Sequence, residues 1–324
     1  MTDRTAWLAA CGWGAFCHYL GAAPSSDGGA ELSAEAWNRQ VDAFDVEALA
    51  GQLESAGTPY FFITIGQNSG HYLASNEAYD RLVGIRPSKC SQRDLVADLY
   101  EALRPRGIEL LVYLPSGAPA ADPVAVARLE WEWGFEGGWP HGWGARRTGK
   151  RLAAFQRRWE EIVRCWSTRW GARVRGWWID GCYFADEMYR HPEEPGFASF
   201  AAALRAGNPD ALVAYNPGVL TPVVCHSEWE DYAAGEISTA LPECPGPWVE
   251  RGVHRARYHV LSYLGESWGR GQPRFPDDLV VGYTRHVKSR GGAVTWDVPI
   301  DRQGRIPAAF VAQLEAVGRA LGPR

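Results

Sequence analysis

Short apolar runs recur along the whole chain, and each is bounded by glycine, proline or polar residues. Runs of this length, rich in β-branched and aromatic side chains, are typical of strands buried on both faces. Eight can be counted, at residues 12–19, 59–65, 108–114, 174–180, 211–215, 223–227, 258–263 and 292–297. Between them, apolar residues repeat with helical spacing at about 33–56, 91–103, 151–170, 197–205, 277–289 and 307–321. The pattern therefore predicts strands and helices in alternation.

Strands that alternate with helices predict an α/β fold with a parallel sheet, and eight such units favour closure into a (β/α)8 TIM-like barrel. No internal repeat or linker divides the chain, so we expect one domain over residues 1–324. A doubly wound open sheet is the alternative, but no GxGxxG motif follows the first predicted strand. A tryptophan-rich segment at about 118–144 is longer than a linker requires, and we interpret it as an insertion.

The fourth predicted strand ends in Trp-Trp-Ile-Asp180-Gly181, so an acidic residue directly follows an apolar run. In an α/β barrel the carboxyl ends of the strands form the face on which catalysis takes place. Asp180 and a second carboxylate on a later loop would supply the pair that glycoside hydrolysis needs. A turn or a helix cap is the alternative interpretation, because Asp-Gly is a common turn dipeptide.

Composition narrows the range of functions. The chain has 16 Trp among 324 residues, and flat indole rings are suited to stacking on sugar rings. A net charge of -5 argues against a surface that binds nucleic acid or anionic membranes. No apolar run reaches about 18 residues and the first residues do not resemble a signal peptide, so we expect a cytoplasmic protein without membrane spans. Seven cysteines without a CxxC pair are expected to be reduced.

The chain resembles the α-L-fucosidases of glycoside hydrolase family 29 over most of its length. The motif Gly-Ala-Phe-Cys-His18 is similar to the histidine motif in the first strand of that family. The motif Trp178-Ile-Asp180-Gly matches the one that carries the family's nucleophile. The last predicted strand and its Asp301-Arg-Gln-Gly-Arg-Ile-Pro sequel are also similar. The resemblance implies that Asp180 is a catalytic nucleophile.

The second carboxylate is implied by a later segment of the chain. Asp231-Tyr-Ala-Ala-Gly-Glu236 is similar to the family segment that holds the acid/base glutamate. By that pattern Glu236 is the acid/base. Glu230 and Glu228 lie close in the sequence and are the alternatives.

The resemblance also implies which side chains contact the sugar. They are His18, Gln67, Asn68 and His71 for the hydroxyl groups, and Trp178 and Trp268 for the ring. Family members carry a His-His pair where this chain has Gln67-Asn68, and amides exchange hydrogen bonds with hydroxyls but cannot become cationic. A different sugar is therefore an alternative. The β-sandwich domain that usually follows the barrel in this family is expected to be absent.

Together these inferences predict a retaining exo-glycosidase that acts on α-L-fucoside-like small-molecule or oligosaccharide substrates. We expect no cofactor, no metal, no nucleic-acid or membrane partner, and we leave homo-oligomerisation open. Three alternatives remain: a glycosidase for another sugar, a non-catalytic carbohydrate-binding barrel, and a metal-dependent hydrolase or isomerase. For the last, His18, His71 and Asp180 are the candidate ligands, although no HxH or HExxH spacing supports them.

Overall fold

The computed structural model describes residues 3–21, 32–134, 136, 146–182 and 189–322. Its strands within these residues are β1 Trp13–Cys17, β2 Tyr60–Thr64, β3 Glu109–Pro115, β4 Gly176–Asp180, β5 Leu212–Tyr215, β6 Trp248–Arg251, β7 His254–Arg257, β8 His259–Tyr263 and β9 Ala293–Asp297. Seven of them form one curled parallel sheet in the order β5-β4-β3-β2-β1-β9-β8. Strands β6 and β7 form a separate antiparallel hairpin. The parallel α/β architecture expected from the sequence is confirmed.

Helices connect the parallel strands. They are α1 Ala6–Cys11, α2 Ala34–Asp42, α3 Val46–Ser55, α4 Glu77–Val83, α5 Leu95–Leu103, α6 Pro123–Leu129, α7 Ala153–Trp170, α8 Phe197–Leu204, α9 Asp277–Ser289 and α10 Ala308–Leu321. Several begin where a side-chain oxygen accepts a free backbone N–H, as Asp45 does for α3 and Asp94 for α5. None of the helices that the structure describes is both long and apolar enough to cross a membrane.

Alternate residues along each strand face opposite sides of the sheet, which creates two apolar layers. On β3, Leu110, Val112 and Leu114 pack in the larger layer with the helices. Leu111 and Tyr113 belong to the smaller inner layer, together with side chains of the neighbouring strands. The side chains of the inner layer that lie near the carboxyl ends of the strands line the site described below.

An irregular segment, residues 231–237, lies between the two edge strands of the sheet. The Asp231 N–H donates to the Val213 carbonyl of β5 at 2.8 Å. On the other side, the Leu261 N–H of β8 donates to the Gly235 carbonyl at 2.9 Å. Gly235 has a φ of +60°, and a Cβ there would lie 1.9 Å from the His259 carbonyl oxygen, so only glycine fits. An eighth regular strand, which would close a (β/α)8 barrel, is therefore not observed in the described part of the chain.

One expectation for the segments between the strands needs correction, and the insertion at 118–144 can be described in part. The run at 223–227 was predicted to be a strand, but it has no regular structure, and its role beside β5 is taken by the 231–237 segment. In the insertion at 118–144, Pro123–Leu129 forms α6, and Trp131 is buried against Phe155 and Trp133. Trp139 and Trp143 lie outside the described residues.

Candidate active site

A cavity of about 130 Å³ opens where the parallel strands end. It is lined by Phe16, His18, Gln67, Tyr113, Trp178, Asp180, Glu236, Leu261 and Trp268. Six of these side chains are site residues predicted from the sequence. They come from the residue after β1, the segment after β2, β4, the 231–237 segment and the loop after β8. The sheet thus brings residues that are far apart in the chain to one cavity.

Asp180, the last residue of β4, accepts three hydrogen bonds. The Tyr113 hydroxyl donates to Oδ2 at 2.5 Å, and the Gly181 N–H donates to Oδ1 at 2.7 Å. The Asn216 amide nitrogen donates to Oδ1 at 2.8 Å. An ionised carboxylate accepts on both oxygens and donates nothing, so this set of donors matches the charged form. The hydrogen bonds also hold the side chain in one orientation at the cavity wall.

Glu236 faces Asp180 across the same amide group. The Asn216 nitrogen that donates to Asp180 also donates to Glu236 Oε2 at 2.7 Å. The two accepting oxygens can therefore lie no farther apart than the sum of these distances, 5.5 Å. The Gly218 N–H donates to Asn216 Oδ1 at 3.0 Å, which fixes which end of the amide points at the carboxylates. One residue thus sets the separation of both acids.

The two carboxyl groups differ in electrostatic setting. Burial, followed by the negative charge of Asp180, raises the pKa of Glu236 to about 7, and the hydrogen bond from Asn216 opposes this shift. Glu236 therefore keeps its proton up to about pH 7, where an ordinary glutamate is ionised. Pairs of carboxyl groups with this difference are suited to acid/base catalysis, because one donates a proton while the other stays negative.

His18 is held from behind by a buried aspartate. Its Nδ1 lies 2.9 Å from Oδ1 of Asp297 at the end of β9, and the Gly269 N–H donates to the other oxygen at 2.5 Å. Burial raises the pKa of Asp297, although His18 lowers it. The imidazole packs edge-on against Phe16 and Trp268, with ring centroids 4.5 and 5.9 Å away. The imidazole is thereby fixed in orientation, and Nε2 is the atom that remains for a ligand.

Gln67 is linked to Asp180 through the Tyr113 hydroxyl. Its amide nitrogen donates to the Tyr113 hydroxyl at 2.8 Å, and that hydroxyl in turn donates to Asp180. The Tyr113 ring stacks on Trp178 with centroids 5.4 Å apart, while the Trp178 N–H donates to the Ala234 carbonyl at 3.0 Å. Trp178 is 3% exposed, so it forms part of the cavity wall rather than a free stacking surface.

Two predicted sugar-binding residues do not reach the cavity. Residues 67–70 form a tight turn, in which the Gly70 N–H donates to the Gln67 carbonyl at 3.1 Å. Asn68 is exposed to solvent in this turn, and its backbone carbonyl accepts the Ala121 N–H. His71 is buried beside Trp37, with ring centroids 5.7 Å apart. The family resemblance assigned both residues to the site, because an alignment of motifs carries no information on how the backbone turns at 67–70.

The alternative acid/base residues also lie outside the cavity. Glu230 is buried behind β5, where it accepts the His226 N–H at 2.6 Å and the Tyr215 N–H at 3.4 Å. Burial raises its pKa to about 8. Glu228 is 40% exposed and lies 3.7 Å from Arg190. Among these three glutamates, Glu236 is the one that lines the cavity with Asp180.

Three residues of the site, Tyr113, Asn216 and Asp297, were not among the site residues predicted from the sequence. Tyr113 occupies an inward position two residues before the end of β3, and its register opposite Trp178 brings it to Asp180. Asn216 follows β5 directly, and that position is a usable signal in a parallel sheet. No group of three His, Cys, Asp or Glu side chains in the described ranges is arranged to hold a metal ion, and His71 does not line the cavity.

No protein-family model and no curated protein matches the chain. Solved structures do match it. An endo-fucoidan hydrolase of glycoside hydrolase family 107 aligns with a TM-score of 0.69 at 18% identity, over 98% of this chain and 92% of that one. The chain has a fucosidase-like glycoside hydrolase fold.

Other structures agree on this fold. The α-L-fucosidase AlfC, in complex with Fuca(1,6)GlcNAc, aligns with a TM-score of 0.64 at 16% identity, over 98% of this chain and 97% of that one. A family 29 α-L-fucosidase from Bacteroides thetaiotaomicron gives 0.60 at 16% identity, over 98% and 73%. Of another endo-fucoidan hydrolase, MfFcnA4, this chain spans about half, 53% of its length. At these identities the likeness concerns the fold.

Proposed function

We propose that this protein is a retaining glycoside hydrolase that acts on α-L-fucoside-like substrates, with Asp180 as nucleophile and Glu236 as acid/base. The observation that carries the proposal is the pair of carboxylates bound to the one Asn216 nitrogen, with accepting oxygens no more than 5.5 Å apart. The two carboxyl groups are about 5–5.5 Å apart in retaining glycosidases and about 6.5–9.5 Å apart in inverting ones, which need room for a water.

The reaction proceeds in two displacements. In the first, Asp180 attacks the anomeric carbon as the glycosidic bond breaks, and the proton of Glu236 passes to the departing oxygen. In the second, Glu236, now a carboxylate, takes a proton from water. The oxygen of that water displaces Asp180 from the anomeric carbon and regenerates the enzyme. Two inversions at one carbon leave its configuration unchanged.

The other cavity residues support this chemistry. The Tyr113 hydroxyl on Asp180 Oδ2 leaves Oδ1 and Oδ2 in fixed positions for attack. His18 is oriented by Asp297 to bind a sugar hydroxyl through Nε2. Phe16 and Leu261 add apolar surface to the cavity wall, which suits a 6-deoxy sugar that carries a methyl group where other hexoses carry a hydroxymethyl group. The fucoside preference rests on that surface and on the shared fold.

The activity is tested with a panel of nitrophenyl glycosides and with NMR of the first anomer released. We expect release from the α-L-fucoside with retention of configuration. Asp180→Asn should lower kcat by at least about 10³-fold, because the nucleophile is lost, while sugar binding persists. Asp210→Asn, an exposed aspartate away from the cavity, is the matched control and should behave as wild type.

Each alternative has a distinct outcome in the same experiment. Turnover of another glycoside and none of the fucoside would overturn the sugar assignment but keep the mechanism. Inverted product would contradict the role of Asp180 as nucleophile. Sugar binding by the wild type without turnover of any glycoside would identify a non-catalytic carbohydrate-binding protein, and activity lost on treatment with a chelator would favour a metal-dependent reaction.

A further inference from the structure

A second cavity, of about 280 Å³, adjoins the catalytic cavity. It is formed by the loops after β1, β8 and β9 and by α2. His18 lines both cavities, and Gly269 of the second directly follows Trp268 of the first. Asp297 links His18 and Gly269 by a hydrogen bond to each, so both residues of the wall between the cavities share one buried partner. The two spaces therefore form one binding region divided by the imidazole ring.

The strand order tells which part of the substrate would enter the second cavity. Asp180 ends β4, whereas β1 and β9 lie three and four strands away in the sheet. Glu236 lies on the segment between β5 and β8, so in this order Asp180 and Glu236 are on the side of the cavity away from His18. A sugar whose anomeric carbon faces Asp180 therefore directs its opposite edge, with the oxygens on carbons 3 and 4, toward His18. The second cavity continues from that edge, away from the leaving group.

The lining of the second cavity is rich in hydrogen-bond donors. Arg270 and Arg302 are among its lining residues, and within the part of the chain that the structure describes neither guanidinium has an ion pair or a side-chain hydrogen bond. Gln40 adds an amide. Asp301, the one carboxylate in the lining, accepts the Gln303 and Arg305 N–H groups at 2.9 and 2.8 Å. Each guanidinium offers five N–H donors, which match the closely spaced oxygens of a saccharide.

We infer that this cavity binds a second sugar unit, linked through O3 or O4 on the non-reducing side of the sugar that faces Asp180. The enzyme then cleaves within a saccharide chain, and not only at its end as the sequence led us to expect. This inference rests on the proposed function, since it uses Asp180 to fix the orientation of the first sugar. Guanidinium donors on the second unit contribute binding energy far from the reacting bond, which an enzyme can use to accelerate that bond's cleavage.

The test uses three substrates: the nitrophenyl α-L-fucoside and the nitrophenyl glycosides of two α-linked fucose disaccharides, joined through O3 and through O4. We expect nitrophenol to leave at least one disaccharide substrate with the disaccharide intact. Its kcat/KM should exceed that of the monosaccharide by at least about tenfold, because only the disaccharide fills both cavities. Mass spectrometry of the first product distinguishes intact disaccharide from single fucose.

Variants identify the cavity that is used. Arg302→Ala should lower the ratio of disaccharide to monosaccharide kcat/KM by at least about fivefold, mainly through KM, and Arg270→Ala should act in the same direction. The control is Arg285→Ala, an exposed arginine on α9 that borders neither cavity, and its ratio should be that of the wild type. A purely structural effect of the arginine substitutions would change both substrates equally and leave the ratio unaltered.

The outcomes separate the two proposals. Release of single fucose before nitrophenol, or a monosaccharide rate equal to that of both disaccharides, would overturn the second subsite while the proposed hydrolase activity stands. An Arg302→Ala ratio equal to that of Arg285→Ala would do the same. No nitrophenol from any of the three substrates would overturn the fucoside hydrolase itself, and this subsite with it.

Discussion

Asn216 is the residue on which the pairing of the two acids depends. Its single amide nitrogen reaches both carboxylates, and its oxygen is anchored by a backbone N–H on its own loop. The amide lowers the pKa of Glu236, against burial and the charge of Asp180, which raise it. Asn216 therefore affects both the distance between Asp180 and Glu236 and the pKa of Glu236.

A pH profile of Asn216→Ala tests this role. In the wild type, kcat/KM should fall above about pH 7, where Glu236 loses the proton that it donates in the proposed mechanism. The variant lacks the hydrogen bond that favours the carboxylate, so its alkaline limb should move to higher pH. The maximum rate should fall by about 10²-fold, because the acids are no longer held together.

Asn68→Ala is the matched control for this profile. Asn68 is an exposed asparagine that the family resemblance assigned to sugar binding and that does not line the cavity. Its substitution should leave both the rate and the alkaline limb unchanged. An alkaline limb in Asn216→Ala that stays at the wild-type pH, or moves down, would show that Asn216 does not tune Glu236.

At the scale of elements, the sequence predicts the regular strands well, but it does not predict the irregular 231–237 segment between β5 and β8. The apolar runs at 59–65 and 108–114 match β2 and β3 to within one residue at each end, because strands buried on both faces need continuous apolar sequence. The 231–237 segment has no such run. Its course depends on a left-handed glycine at 235 and on close approach to β8, and neither leaves a periodic signal in the sequence.

The same difference explains what the sequence revealed of the site. Asp180 and His18 stand at strand ends within short motifs, so the chain order alone exposes them. Tyr113 reaches Asp180 only through the register of β3 against β4, which pairs Pro115 with Asp180. Register is a property of two strands together, and a single stretch of sequence does not contain it. The turn at 67–70 likewise depends in part on a distant segment, since the Ala121 N–H donates to the Asn68 carbonyl.

Gly235→Ala tests the importance of the irregular segment. An added Cβ would meet the His259 carbonyl oxygen at 1.9 Å, and φ is +60° there. We expect the free energy of unfolding to fall by about 2–4 kcal/mol, from the left-handed conformation together with the clash. Activity should also fall, because Glu236 is the next residue. Urea denaturation and nitrophenyl fucoside turnover measure the two effects.

Gly252→Ala separates the clash from the backbone strain. Gly252 lies in the turn between β6 and β7 with a φ of +59°, and a Cβ there would meet no atom within 4 Å. It should cost only the left-handed conformation, about 1–2 kcal/mol, and leave turnover unchanged. Equal losses of stability in the two variants would mean that the segment moves freely away from β8.

At the scale of the whole molecule, buried acids make the stability of the fold depend on pH. Burial raises the pKa of Glu230 from the ordinary value of 4.5 to about 8, and burial together with the charge of Asp180 raises the pKa of Glu236 to about 7. Between pH 4.5 and these raised pKa values, the folded protein binds protons that the unfolded chain has released. The stability that these two groups contribute is therefore full at low pH and is lost as pH rises. Buried His259 has the opposite sign, because burial lowers its pKa to about 4 and its contribution is lost only below about pH 6.5.

Above pH 6.5 the two glutamates therefore determine the trend. We expect the free energy of unfolding to fall by about 2–3 kcal/mol between pH 6.5 and 8, at about 1.4 kcal/mol per pH unit for each group that still titrates. Glu230→Gln should remove the larger part of this slope, because a neutral amide in the same buried position does not titrate. Because Glu230 lies outside the catalytic cavity, the variant should still turn over substrate, which distinguishes it from Glu236→Gln. Glu228→Gln, its exposed neighbour, should keep the wild-type slope, and a wild-type slope in Glu230→Gln would mean that Glu230 is already ionised in the folded protein.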